Sequence, residues 1–363
     1  MTIRLTILIA LYLFSLRCFS QIDNAENTES HLTFSGYAEM YYAYDFGASA
    51  SNRLPDFMFN YNRHNEVNLN LGFIKAAYNH DGVRSNLALM TGTYAGANLA
   101  HEPEFLQNIF EANIGVKLSK NHDLWLDAGI FESHIGFEGA IGQNCRSLTR
   151  GILAESSPYY EAGVKVSYTS KNQKWFASAL LLNGWQRITR VEGSSLPAFG
   201  HELTFKPSNK ISLTSSSFVG TDFPDNQRKM RYFHNFYGIF EWNERVNFVA
   251  GFDVGAQQES KGSSQYDVWY TPVLTTQIHA THRLSFSARA EYYSDPENVI
   301  ISSEVAPAFR TFGYSMNADI AIREGVMWRT ECRTFQPRSE SHWTDANYGD
   351  FNFILTTALS IAF

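Results

Sequence analysis

The chain has 363 residues and a formal net charge of −7, enough sequence for two average soluble domains or one large all-β domain. The acidic balance argues against nucleic acid as a partner, because phosphate binding requires a surplus of Lys and Arg. The chain has only three cysteines, Cys18, Cys145 and Cys332, which excludes a disulfide scaffold. Beyond residue 20, no apolar run reaches the 18 residues expected of a membrane-spanning helix.

The first twenty residues have the form of a secretory signal peptide. Arg4 makes the start positive, and about twelve apolar residues follow before a cleavage site with small residues. A lipid anchor on Cys18 is the alternative, but Arg17 stands where a small residue is required. Cleavage removes Arg4 and Arg17 and changes the net charge from −7 to −9. The predicted organisation is a signal peptide at 1–20, a short extension at 21–30 and one large domain at 31–363.

Alternation of apolar and polar residues dominates the rest of the chain. Every second residue is apolar in 110–118, and the same period recurs in 160–168 and 284–292. A period of two indicates a β-strand with one apolar and one polar face. We predict sixteen strands, with approximate spans 31–45, 65–78, 83–93, 109–119, 123–131, 159–168, 174–184, 199–206, 210–219, 229–241, 246–257, 267–278, 283–294, 310–321, 326–334 and 351–363.

The connections between these segments alternate between seven short polar turns and eight longer loops. Outer-membrane barrels combine short periplasmic turns with long extracellular loops and an even strand number. The prediction is therefore an all-β fold, an up-and-down antiparallel transmembrane barrel of about sixteen strands, closed so that no sheet edge is unpaired in lipid. A soluble β-sandwich also has alternating strands, but it does not explain the alternating loops. The eighth and twelfth strands are the weakest, the latter because Pro272 cannot donate to the ladder, and without one of them fourteen strands would remain.

In such a barrel the apolar phase faces lipid and the polar phase lines the interior. This phase assigns Val67, Leu69, Leu71 and Phe73 of the second strand to the lipid. A barrel of this size leaves an aqueous channel, whose selectivity depends on its charged lining. The predicted pore-lining charges are Glu111, Lys117, Glu161, Lys165, Arg289, Glu291, Arg329, Glu331 and Arg333. Aromatic residues near strand ends are expected in interfacial girdles, namely Tyr41, Tyr42, Tyr44, Trp125, Tyr159, Tyr160, Trp242, Trp269 and Tyr270.

The longest connection, 136–160, is the candidate for a constriction loop folded into the channel. It combines glycines for bends with apolar residues that could pack inside the barrel. A loop lying outside would need fewer apolar residues, because surface loops rarely bury much. The charged residues expected to face water from this loop are Glu138, Arg146, Arg150 and Glu155. A compact cap on the outer rim is the alternative.

Several long blocks also carry a family resemblance. They are NRHNEVNLNLGFIKA (62–76), EANIGVKLSKNHDLWLDAGIFESHIGFEGAIG (111–142), SPYYEAGVKVSYTS (157–170), LNGWQRI (182–188) and MRYFHNFYGIF (230–240). These blocks resemble the OmpL-like β-barrel porin family of Gram-negative outer membranes, and the likeness runs over roughly 34 to 363. The resemblance implies a porin-type barrel in the outer membrane. It carries no catalytic or ligand motif onto particular positions here.

The predicted function is a porin whose water-filled channel passes small hydrophilic solutes or ions by diffusion. A non-conducting adhesin or receptor barrel is the first alternative, since the long loops carry Tyr, Trp and Asn. An outer-membrane hydrolase is the second, although no GxSxG or HExxH is present and His64 and His134 are the least ordinary histidines. No CxxC or HxH occurs, so no metal or other cofactor is predicted. The sequence leaves open whether Cys145 and Cys332 pair and whether the barrels form a homotrimer.

The last predicted strand ends on Phe363. The strand is expected to pair with the first one to close the barrel. Its alternation places every second residue on the lipid side, namely Phe353, Leu355, Thr357, Leu359, Ile361 and Phe363. A terminal aromatic on such a strand resembles the signal that outer-membrane assembly machinery reads. We therefore expect outer-membrane lipid and this machinery as partners, with Phe363 as the assembly signal, and no nucleic acid.

Overall fold

The computed structural model describes residues 31–47, 52–301, 308–337 and 352–363. The predicted signal peptide and extension lie outside these ranges. The described residues form sixteen antiparallel strands: β1 (Leu32–Asp45), β2 (Val67–His80), β3 (Val83–Thr91), β4 (Ile109–Lys117), β5 (Asp123–Glu132), β6 (Tyr160–Thr169), β7 (Trp175–Leu182), β8 (Ala198–Ser208), β9 (Ile211–Gly220), β10 (Arg231–Glu241), β11 (Val246–Gln258), β12 (Tyr266–His279), β13 (Leu284–Asp295), β14 (Phe309–Arg323), β15 (Val326–Pro337) and β16 (Asn352–Ala362). They also form helices α1 (Thr93–Asn98) and α2 (Ile152–Glu155) and the 3₁₀ turns Glu104–Leu106 and Gly142–Asn144.

Each strand pairs with its neighbours in sequence, and β1 pairs with β16 to close a barrel. The closing register runs from Tyr37 opposite Ala362 to Asp45 opposite Ile354. The prediction of a closed, up-and-down barrel of sixteen strands is confirmed. Both doubtful strands are present, and Pro272 is accommodated because the β12–β13 pairing is interrupted between Tyr270 and Val273 without a change of register.

Side chains alternate between the two faces of the wall. On β13, Phe286 is 46% exposed on the outer face, whereas Arg289 and Glu291 are each 3% exposed and point inward. This is the order that lipid outside and polar contacts inside require. Among the described residues, no helix is long and apolar enough to cross a membrane.

The prediction that Leu71 and Phe73 of β2 face the lipid is wrong. The β1–β2 register shifts between Glu39 and Met40, so that Asn70 has no opposite residue. Such a bulge adds one residue and reverses the faces beyond it. Leu71 is fully buried inside the barrel, in a cluster of apolar side chains, and Phe73 packs against that cluster.

The half of the barrel next to the long loops contains a packed apolar interior. Inward side chains near the outer strand ends, including Trp269, Tyr293 and Phe335, pack against Phe57 of the first long loop and Ile152 of α2. The girdle prediction is wrong for four of its residues, which are 1% to 5% exposed in the interior: Trp269, Tyr41, Tyr159 and Tyr160. The girdle prediction agrees with the exposure of Trp242 and Tyr270, which are 72% and 38% exposed.

The chain end is bound to the first strand. The Phe363 amide donates to the Gly36 carbonyl at 3.0 Å, and the Gly36 amide donates to the Phe363 carbonyl at 2.8 Å. A Cβ on residue 36 would lie only 2.4 Å from the Phe363 ring, so this ring packs directly over Gly36 and would have to shift to admit a side chain there. The role of Phe363 as an assembly signal stays a prediction.

The two cysteines of the described barrel are unpaired. Cys145 is buried inside, whereas Cys332 lies on the outward phase of β15. The barrel wall therefore separates them.

Candidate functional site

The longest connection, residues 133–159, runs through the barrel interior, and we call it the inward loop. It leaves β5 at the rim of the long loops and reaches the opposite rim at Gln143. There the side-chain amide of Gln143 donates at 3.2 Å to the carbonyl of Gly325, which lies in the short turn between β14 and β15. The same amide donates to the Ser360 hydroxyl at 2.9 Å. The loop then returns along β13 and β15 to α2. It thus traverses the lumen twice.

Three arginines of the wall bind carbonyl groups of the returning arm, which is the part of the inward loop from Gly142 onward. Arg329 donates to the carbonyls of Gly142 at 2.6 Å and Cys145 at 2.9 Å. Higher on the wall, Arg289 donates to the Thr149 carbonyl at 2.7 Å, and Arg333 donates to the next carbonyl, that of Arg150, at 2.7 Å. A buried loop must have its backbone groups paired, and these arginines supply the donors.

Two wall carboxylates bind amide groups of the same arm. Glu331 accepts a hydrogen bond from the Thr149 amide at 2.5 Å, and Glu291 accepts one from the Ile152 amide at 2.6 Å. We call Arg289, Glu291, Arg329, Glu331 and Arg333 the anchoring wall. Its arginines donate to carbonyl groups of the loop backbone, and Glu291 and Glu331 accept from its amide groups.

The charges of the anchoring wall also pair with one another. Arg333 lies 2.6 Å from Glu291, and Arg289 lies 2.9 Å from Glu331. Arg289 also lies 3.5 Å from Glu138 of the inward loop. Removing one partner from such a buried set is strongly destabilising, because it leaves an uncompensated charge in a region of low dielectric constant.

All five anchoring residues were predicted to line the pore. They face the interior, but each is at most 3% exposed, and the inward loop rather than water covers them. They hold the loop in place. Any contribution they make to ion selectivity stays a prediction.

The charged residues of the inward loop are also mostly covered. Arg150 is fully buried and donates to the carbonyls of Gly139 at 2.7 Å and Ala140 at 2.9 Å, which joins the two arms of the loop. Glu138 accepts from the Gly151 amide at 2.7 Å across the same gap. The expectation that these two side chains face water is wrong, because loop backbone groups bind both of them and Arg289 also pairs with Glu138.

Glu155 and Arg146 tie the ends of the returning arm to other elements. Glu155 is 6% exposed, contrary to expectation, and accepts hydrogen bonds from the amides of Phe59 at 3.0 Å and Asn60 at 3.3 Å. Burial raises the pKa of the Glu155 carboxyl to about 7, and these donors oppose the shift. Arg146 keeps partial exposure, donates to Asn247 at 2.8 Å and lies 3.9 Å from Glu241.

The opposite side of the barrel carries charges that remain in contact with water. Lys75 pairs with Glu111 at 2.5 Å, and Arg84 pairs with Asp127 at 2.5 Å. The side chains of Lys75 and Arg84 are 27% and 33% exposed. Lys165 is half-buried, and its ammonium lies 4.6 Å from the Phe131 ring centre. We call the charged inward side chains of β2 to β6 that stay in contact with water the open wall.

Three of the predicted pore-lining charges, Glu111, Lys117 and Lys165, belong to the open wall. Lys117 is exposed near the short-turn rim, 3.8 Å from Asp123. Sequence reasoning missed Lys75, because the β2 bulge reverses its face. The inward phase of a bulged strand cannot be read from alternation alone.

Glu161 is the ninth predicted pore-lining residue, and it is fully buried. Its carboxylate lies 2.7 Å from Nδ1 of His134, whose Nε2 lies 2.9 Å from the Ser217 carbonyl. The imidazole therefore joins the start of the inward loop to β6 and β9. Within the described ranges, no group of three or more His, Cys, Asp or Glu side chains could hold a metal ion.

Two spaces lie inside the barrel or at its rim, and one of them adjoins the inward loop. A cavity of about 280 Å³ lies between the loop and β10, with Glu132, Glu138, Tyr159 and Tyr237 in its lining. A cleft of about 640 Å³ lies at the short-turn rim between the turns that follow β6 and β8. Its lining contains four lysines, Lys171, Lys174, Lys206 and Lys210, and we call it the lysine cleft. Among the described residues none of the four forms an ion pair.

A closed antiparallel barrel of sixteen strands, apolar outside and with a loop folded through its lumen, is the architecture of a channel-forming porin of the Gram-negative outer membrane. The family model described as "Putative beta-barrel porin-2, OmpL-like" matches residues 31–363. The chain therefore belongs to this family, as the resemblance implied. None of the curated proteins matches the sequence.

Solved porin structures share the fold. The chain is similar to the anion-selective porin from Comamonas acidovorans, with 8% identity, a TM-score of 0.61 and coverage of 92% of this chain and 100% of the other. It is similar to the channel DcaP of Acinetobacter baumannii, with 10% identity, a TM-score of 0.60 and coverage of 92% and 97%. The trimer form of OmpT from Vibrio cholerae gives 7% identity, a TM-score of 0.56 and coverage of 92% and 99%.

Proposed function

We propose that the protein passes small hydrophilic solutes or ions by diffusion along the open wall, beside the inward loop. The observation that carries this proposal is the division of the lumen charges. The anchoring wall is covered by the loop, whereas Lys75, Arg84 and Lys165 of the open wall keep contact with water. The cavity beside Tyr237 adjoins the inward loop, and the lysine cleft lies at the short-turn mouth of the barrel.

The lysine cleft supports a preference for anions at the short-turn mouth. Lys174 and Lys206 are exposed side chains that line one cleft with Lys171 and Lys210. Only one carboxylate, Glu241, is in that lining, and it lies 3.9 Å from Arg146. An uncompensated cluster of one sign raises the local concentration of counter-ions.

Reconstitution of the folded protein in planar lipid bilayers tests the channel. We expect discrete conductance steps and, across a salt gradient, a reversal potential of the sign that anion preference gives. Folded protein without conductance would contradict the proposal and favour the adhesin or receptor alternative, in which the long loops bind a partner.

We also propose that the channel is not catalytic and that the barrels associate with one another. The His134 ring is held by Glu161 and a backbone carbonyl, which supports a structural role rather than that of a general base. Reproducible turnover of ester, phospholipid or peptide substrates, abolished by one His or Ser change, would contradict the first point. A homotrimer is the assembly we propose, in line with the trimer form of the OmpT structure.

A further inference from the structure

Four polar side chains lie together on the outer face of the barrel, where lipid is expected. They are His201 on β8, Ser215 and Ser217 on β9, and His234 on β10, and we call them the outer polar patch. His201 and His234 both lie opposite Ser217 in the strand register. Neighbours of the same outward phase are apolar, namely Phe199, Leu203 and Phe236, which are 52%, 41% and 48% exposed.

The patch is a connected hydrogen-bond network. Ser217 Oγ lies 2.5 Å from Nδ1 of His201. Ser215 Oγ lies 3.5 Å from Nε2 of His201 and 3.3 Å from Nε2 of His234. The two imidazole ring centres are 6.0 Å apart. Nδ1 of His234 forms no hydrogen bond to any residue that the structure describes, so the network retains capacity on its exposed side.

The patch lies at the depth of the hydrocarbon layer. His201 and His234 are each three residues from the outer ends of their strands, at Ala198 and Arg231. A strand residue tilted by about 40° advances roughly 2.5 Å along the membrane normal, which places the rings about 8 Å inside the outer strand ends. The apolar band of such barrels is about 25 Å tall. Ionisable side chains within a membrane are normally kept away from lipid, so this exposure requires a partner.

We propose that the outer polar patch is the contact face between copies of this barrel, which rests on the homo-oligomer proposed above. A second copy in the same bilayer and orientation carries the same imidazoles and hydroxyls at the same depth. Rotation about an axis along the membrane normal therefore brings matching donors and acceptors together. Lipid headgroups carry their polar atoms at the membrane surface and do not reach this depth.

Cysteine crosslinking in intact outer membranes tests the face directly. Ser217→Cys is introduced together with Cys332→Ser, and the membranes are treated with a short bifunctional maleimide. The natural chain is the matched control, because Cys332 also faces outward, but on the far side of the barrel at β15. We expect at least tenfold more covalent dimer from the Ser217→Cys variant than from the natural Cys332. Equal yields, or dimer only through Cys332, would overturn the proposed face.

Sedimentation in detergent provides the second test. The double substitution His201→Leu and His234→Leu is expected to weaken self-association at least tenfold while unit conductance is unchanged. Tyr314→Leu, on the outward face of β14 and 44% exposed, is the control and should leave association unchanged. If the double variant associates like the natural protein, the face is wrong and the homo-oligomer stands. If the natural protein is monomeric in membranes and detergent alike, both proposals fail.

Discussion

Replacing Arg289 by Met should release the inward loop from the barrel wall. Met has a similar length but no charge, so the substitution removes the hydrogen bond to the Thr149 carbonyl at 2.7 Å and the ion pair with Glu331 at 2.9 Å. Glu138 loses the Arg289 guanidinium 3.5 Å away, whereas Glu291 retains Arg333 at 2.6 Å. The variant thus leaves buried carboxylates without their cation.

The magnitude follows from the burial of this set. Removing one partner of a buried ion pair costs about 3–5 kcal/mol. Applied to the balance between docked and released loop, that is a shift of roughly 10²-fold to 4 × 10³-fold, because 1.4 kcal/mol corresponds to a factor of ten. Since the loop traverses the lumen twice, its release should widen the path. Single-channel recording should show larger or more variable conductance, and limited proteolysis should cut within residues 133–159.

Two further variants identify the cause. Arg323→Met makes the same change at an exposed position at the end of β14, where it should alter neither conductance nor proteolysis. Adding Glu331→Met to Arg289→Met removes both charges of one pair and should be less disruptive than the single change, because less charge is left unpaired. An Arg289→Met channel that behaves like Arg323→Met would refute the anchoring role.

Three other predictions concern the mouth, the inward loop and the chain end. Lys174→Gln with Lys206→Gln should move the reversal potential toward cations, whereas an unchanged potential would exclude the cleft from selectivity. Because the pKa of Glu155 in the folded state is raised from 4.5 to about 7, the folded state keeps this proton up to a higher pH than the unfolded state. Its contribution of up to about 3 kcal/mol is therefore complete below pH 4.5 and is lost as the pH rises through 7. Urea unfolding of Glu155→Gln should lack this part of the pH dependence. Deleting Phe363 should reduce the amount of barrel inserted in outer membranes, with unit conductance of the inserted fraction unchanged, and normal insertion would contradict its role as a signal.

The wall of the barrel could be predicted from sequence because lipid imposes one simple rule on it. Outward positions must be apolar and the alternation has a fixed period, so the sixteen strands and the faces of Arg289 and Trp328 followed directly. The β2 bulge at Asn70 broke that rule, because one extra residue exchanges the faces and no composition signal marks it.

The contents of the lumen could not be predicted in the same way. A polar inward residue such as Arg333 satisfies the alternation equally well facing water or binding a loop. Only the fold reveals that the Arg150 carbonyl lies 2.7 Å from it. Inward aromatic residues such as Trp269 likewise resemble girdle residues until the first long loop and α2 are seen to pack beside them.

Accessibility of the two walls during conduction is the most direct test of a channel along the open wall. Lys165→Cys on the open wall and Ser315→Cys on β14, beside the inward loop, are each made with Cys145→Ser and Cys332→Ser. A charged methanethiosulfonate reagent is then added during single-channel recording. We predict that it reduces the current through the Lys165→Cys channel and leaves the Ser315→Cys channel unchanged, since Ser315 is only 5% exposed. Block through Ser315→Cys alone, or folded barrels that carry no current, would contradict this account.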